Sequence, residues 1–240
     1  MINPLDQFKV TNIVSFDLGI IKFVFTNAAF TLVLSYIAVL LLSNVSTLRL
    51  SIIPGKSQVL AESFYNMLAD LLCATAGSKA MRFLPLIMTL FIFIAANNVL
   101  GVVPFLFSTT SHFSVTFSLS ILVFIIVLIT GFVRNGWKYL NVLLPSGTPW
   151  FFAPLMFIIE FFAYMARPIS LAVRLAANMI AGHVVIKVLA SFVLLSGFFG
   201  FLPFMLLTIL SAFEILIAIL QAYIFTVLTC TYLSEAYNLH

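Results

Sequence analysis

Charge is what this sequence has least of: 11 Lys plus Arg and 7 Asp plus Glu among 240 residues, or 8%, where a soluble domain carries about a quarter. That scarcity excludes a soluble globular protein. The net charge of +4 is small and dispersed, which excludes a nucleic-acid surface and leaves the basic residues to report topology. Cysteine is nearly absent; Cys73 and Cys230 lie far apart without metal spacing or a disulfide framework, and both read as packing residues. Three scattered histidines exclude a metal centre or paired haem ligation, and no nucleophile elbow, phosphate loop or catalytic carboxylate pair is present. No cofactor or metal is therefore expected. Residues 1–19, with Asp6, Lys9 and Asp17, lack both a cleavable signal pattern and an Arg-rich transit pattern, so no targeting segment is expected.

What the chain does have is apolar length. It is 63% hydrophobic with 27 Phe, and at about 20 residues per crossing it has room for about five to six helices and no sizeable aqueous domain. The expectation is an all-α membrane protein forming a single membrane domain over residues 1–240. Any soluble catalysis then belongs to a partner. Long uncharged runs set the boundaries. Lys22 and Arg49 flank 26 uncharged residues, which predicts a first span over about 20–42. Residues 57–75 predict an amphipathic helix, with Leu60, Phe64, Met67, Leu68 and Leu71 on one face and Glu62, Asn66 and Asp70 on another. Such a helix lies at the membrane surface or packs against other subunits. The 51 uncharged residues from Phe83 to Val133 are broken by Pro104 and the polar run Ser108–His112, predicting spans over 83–103 and 114–133. Arg134 and Lys138 form a second basic loop before Trp150.

The remaining chain is too long for upright crossings. Pro154 to Ser196 is 43 residues, about 65 Å as a helix against a hydrocarbon thickness of about 30 Å. Pro203 to Ala236 repeats the excess. A strongly tilted, antiparallel helical hairpin over 150–196 and 203–236, turning at residues 196–200, accommodates both lengths. A kink at Pro168 or Gly182 is the competing geometry.

These two helices carry Glu160, Arg167, Arg174, Lys187, Glu214 and Glu235, with Asn178, His183 and Gln221. An ionisable group at mid-membrane costs about 2.5–3.5 kcal/mol even on insertion scales, and such groups mark ion paths. Arg174 is the hardest to excuse, because a guanidinium cannot shed its charge and must face water or a carboxylate. Glu160, two heptads away, is about 21 Å distant along the axis. Arg174 is thus either functional or half of a structural ion pair. Arg167, Arg174 and Asn178 share one helix face; Glu214, Ala218 and Gln221 share another. Asn178 and Gln221 either orient a guanidinium or a water, or simply hold the hairpin together. His183 suits a proton relay with Glu214 across the hairpin, or is a satisfied structural histidine. Glu160 and Glu235 approach the basic-loop side, where Glu235 is open to a solvated role. Arg167 and Lys187 could equally anchor at an interface.

The stretches SLAVRLAANMIAGH at 170–183 and AILQAYIFTVLTCTYL at 218–233, supported by NNVLGVVP at 97–104, TSHF at 110–113 and PLDQF at 4–8, resemble subunit a of the rotary F-type ATP synthases, the mitochondrial version most. The resemblance implies a proton-translocating stator subunit, not itself catalytic, that provides two offset half-channels. Its implied partners are the c-ring, the peripheral stalk, other membrane-sector subunits, protons and lipids, with no nucleic acid. It implies that Arg174 is the essential arginine facing the ring, that Asn178 and Gln221 line its surroundings, that His183 and Glu214 belong to one half-channel, and that Glu160 and, less securely matched, Glu235 belong to the other. Bacterial members often carry an acid at the position of His183 and a His at that of Glu214; the arrangement here implies the mitochondrial inner membrane rather than a bacterial plasma membrane. A proton-coupled transporter or antiporter-like respiratory subunit would use the same buried charges.

Overall fold

The computed structural model describes residues 9–17, 22–47, 55–103, 106–143, 151–195 and 200–237. Pro104, Trp150 and most of the turn at 196–200 lie outside them. Two short strands, β1 (Asn12–Asp17) and β2 (Lys22–Thr26), pair antiparallel ahead of six α-helices. These are α1 (Asn27–Thr47), α2 (Lys56–Ala76), α3 (Leu84–Val102), α4 (Phe113–Asn135), α5 (Ala153–Leu195) and α6 (Phe201–Tyr237). Among the described residues, four helical stretches are long and apolar enough to cross a membrane: Ser78–Val102, Phe113–Leu140, Ala153–Leu195 and Phe201–Tyr237.

The helical part of the first apolar run begins at Asn27, later than the expected residue 20. The reason is local: the segments NIVSFD and KFVFT are rich in β-branched and aromatic residues and pair as a hairpin. Asn27 then joins hairpin to helix, donating from Nδ2 to Lys9 O and accepting at Oδ1 from the Thr11 and Ala28 amides.

The face expected of α2 is met in part: Leu68 is in the core, with Phe64 and Leu71 packed against it. Leu68, Ala69, Leu72 and Ala76 are buried within this chain, whereas Leu60 and Met67 are exposed. Its C-terminal half packs on α6, and Ser234 Oγ donates to Thr75 O at 2.6 Å. Cys230 is buried, as a packing residue should be, but Cys73 is exposed, so its packing role fails within this chain.

Helix α6 packs on α2, α3, α4 and α5. Its inward stripe combines large Phe225 and Leu233 with small Ala218, Ala222, Thr226, Thr229 and Cys230, and small residues let helices approach closely where lipid offers no hydrophobic drive. Thr226 and Thr229 bond their hydroxyls to the carbonyls of Ala222 and Phe225, leaving no wet polar group behind. Between helices, Asn98 Nδ2 donates to Ala218 O at 3.0 Å in a fully buried setting. Asn98→Ala is expected to destabilise the extracted protein by about 0.5–2 kcal/mol, read as a lower midpoint of thermal unfolding in detergent; an unchanged midpoint would show this bond to be dispensable.

The two basic segments meet at one end of the molecule. Arg82 Cζ lies 5.5 Å and Arg134 Cζ 3.9 Å from the Tyr237 ring centroid, and Asn135 Nδ2 donates to Ala236 O at 2.8 Å. Both loops therefore share the C-terminal end of α6. Helix α5 runs without interruption for 43 residues, with Pro168 inside it. The α5 helix is thus continuous through both Pro168 and Gly182.

Candidate functional site

Five ionisable residues of α5 and α6, Arg167, Arg174, His183, Glu214 and Glu235, fall into three groups. Arg174 stands on the exposed side of α5, while its neighbours Leu171, Ala172, Leu175 and Ala176 turn inward. Among the described residues no carboxylate pairs with it; Glu235 pairs with Arg167, and Glu214 lies near His183 instead. A guanidinium left bare on a helix longer than a membrane is thick has to be met by water or by another protein.

The second group joins the helices beside it. Glu214 is buried on α6 with its Oε1 3.8 Å from His183 Nδ1 on α5, a separation that one bridging water or a small rotation closes. Neither carboxylate oxygen accepts a hydrogen bond among the described residues. A cavity of about 250 Å³ opens against this carboxylate, lined by Asn178, Gly182, Leu210, Phe213 and Glu214 among others. At about 30 Å³ per water it has space for several. Gly182 is what admits Glu214: a Cβ there would lie 2.5 Å from Oε1 and 3.1 Å from Cδ. Gly182 lies within the uninterrupted α5 and leaves the notch that this carboxylate occupies.

The third group lies at the basic-loop end. Arg167 pairs with Glu235, and its guanidinium sits 5.0 Å from the Tyr164 ring centroid and 5.2 Å from that of Tyr232. Tyr164 is held in turn by a 2.7 Å hydroxyl contact with Tyr139. Arg167 is thereby a partner of Glu235 rather than a loose interfacial anchor.

Asn178 reaches the cavity of the second group, one turn of α5 beyond Arg174. Gln221 is buried on α6 with its Nε2 unpartnered among the described residues, one turn past Ala218. Glu160 is half-buried and joins none of the three groups. Sequence reasoning passed over Tyr139, Tyr164 and Tyr232; tyrosines at helix ends look like ordinary interfacial residues until a guanidinium is found between them.

The family model described as ATP synthase A chain matches residues 24–234. The chain belongs to that family. It is similar to a protein named ATP synthase subunit a from Ehrlichia chaffeensis (strain ATCC CRL-10679 / Arkansas), with 48% identity over 240 residues covering 99% of both chains. A protein of the same name from Ehrlichia ruminantium (strain Welgevonden) is 47% identical with the same coverage. Membership agrees with a multi-pass, all-α membrane protein. Both relatives are bacterial, so they lend no support to the mitochondrial version that the order of His183 and Glu214 implied.

Proposed function

We propose that this chain is the proton-translocating stator subunit of the membrane sector of an ATP synthase, without catalytic activity of its own. The observation that carries the reading is Arg174, a permanent cation on the outward face of α5 with no acid among the described residues to meet it. A c-ring carrying one carboxylate per subunit supplies what is missing. Such a carboxylate must be neutral to pass through lipid and ionised to exchange its proton, and a fixed positive charge favours the ionised form at one place only. The same charge repels a proton attempting to cross directly. Flux is then routed through rotation, and each proton falling through 100 mV delivers about 2.3 kcal/mol.

In this reading His183, Glu214 and Asn178, gathered at the α5–α6 cavity, form one half-channel. Gln221 orients the surroundings of Arg174, and Glu160 and Glu235 border the other half-channel on the basic-loop side. The peripheral stalk and other membrane-sector subunits hold the chain against the ring, with lipids covering the rest. A transporter or antiporter role is disfavoured by family membership over residues 24–234. For the membrane itself, the mitochondrial inner membrane follows from the order of His183 and Glu214, whereas a bacterial plasma membrane is favoured by relatives 47–48% identical in bacteria.

Isolation of the intact complex tests the assignment: the chain should co-purify with a c-ring and a nucleotide-binding head, and recovery as a lone solute carrier would refute it. Glu214→Gln keeps size and polarity but cannot carry a proton. It is expected to slow ATP-driven proton pumping by roughly 100-fold, the lower end of the range for a positioned proton-transfer group. Wild-type flux across a pH series would remove Glu214 from the path.

A further inference from the structure

We propose that Glu235 acts as a fixed counter-ion that cancels the charge of Arg167, so that Arg174 is the one arginine of α5 left uncompensated. This rests on the stator reading and deepens it, since Glu235 then borders the path as a permanent anion and carries no proton.

The geometry is built for a fixed pair. Seven residues separate Arg167 from Arg174, about 10 Å along the helix axis. Arg167 is enclosed by the rings of Tyr164 and Tyr232 while it pairs with Glu235 from the facing helix. Tyr164 is itself tethered to Tyr139, which sets the ring's position. A planar guanidinium between two aromatic faces keeps one orientation and gains from both. Ser120 of α4 lines the small cavity beside this guanidinium, together with Tyr164, Pro168 and Tyr232. Tyr139, Tyr164, Tyr232 and Ser120 bring no negative charge of their own, so Glu235 is the only acid at this cluster among the described residues. Glu160 lies seven residues before Arg167 on the same helix and is not part of it.

Removing the acid would free a second cation about 10 Å from the first. At an effective permittivity near 20, two unit charges at that separation alter a protonation equilibrium by about tenfold. A proton leaving toward the basic-loop side would then meet two positive charges in succession.

The test uses membranes carrying the assembled complex, with pumping read by a pH-sensitive dye and assembly by ATP hydrolysis and the amount of this chain present. Glu235→Gln is expected to lower pumping by roughly three- to tenfold with assembly unchanged. Arg167→Gln/Glu235→Gln, which removes both charges, is expected to recover most of that loss. A pair that merely fastened α5 to α6 would behave oppositely, the double variant being at least as impaired as the single one. The proposal is overturned if the double variant fails to recover, if Glu235→Gln pumps normally, or if neither variant assembles. The stator reading fails separately, if Arg174→Ala pumps.

Discussion

Arg174→Ala is expected to abolish ATP-driven proton pumping while ATP hydrolysis by the soluble head continues. The argument is electrostatic. Without the guanidinium nothing favours the ionised form of a carboxylate arriving from the ring, and nothing keeps a proton from crossing between half-channels without rotation. Both losses act in one direction, so no pumping remains above that of membranes lacking the complex. Stability should change little, because the Arg174 side chain is exposed and has no ion-pair partner among the described residues. Arg174→Lys is also expected to pump poorly, since a compact ammonium lacks the broad fork of a guanidinium. Pumping at the wild-type rate by Arg174→Ala would end the assignment.

The second large effect belongs to Gly182, a residue that bears no charge. A methyl group at this position would need the space of the Glu214 carboxyl group, whose Oε1 lies 2.5 Å from the hypothetical Cβ. Gly182→Ala should displace the carboxylate from His183 and reduce pumping by at least tenfold, close to the effect of removing Glu214 itself. Gly182→Val should in addition push α5 from α6, at a cost of about 1–3 kcal/mol for overpacking. Shortening the acid relieves the clash: Gly182→Ala combined with Glu214→Asp should pump better than Gly182→Ala alone. If the paired change is no better, the notch is not what positions Glu214.

Much of the architecture was written in the spacing of charges. Uncharged runs outline α3 and α4 because a membrane penalises each ionised group separately, and the excess length of the last two helices is arithmetic. Arg174 could be singled out because a guanidinium cannot neutralise itself. Other features were hidden for physical reasons. Strand β2 overlaps the stretch expected as the first span, and apolar length does not distinguish a strand from a helix; in β1 only the alternation around Val14 and Phe16 carries that signal. The inward face of α2 is only partly legible, because both of its sides hold apolar residues and the choice depends on α6, which lies far away in sequence. The pairing of Arg167 with Glu235 spans 68 residues and requires the register of two long helices, which no local pattern encodes. Gly182 gave a signal that could be interpreted, but glycine marks a bend and a close approach alike.

In the most apolar stretch of α5 and of α6, only 6% is buried within the chain. Phe192, Leu194, Leu195, Phe201, Leu202 and Phe204 all point outward. Mutations on these outer faces should accordingly leave the folding of the separated chain nearly unchanged, whether lipid or another subunit covers them in the membrane.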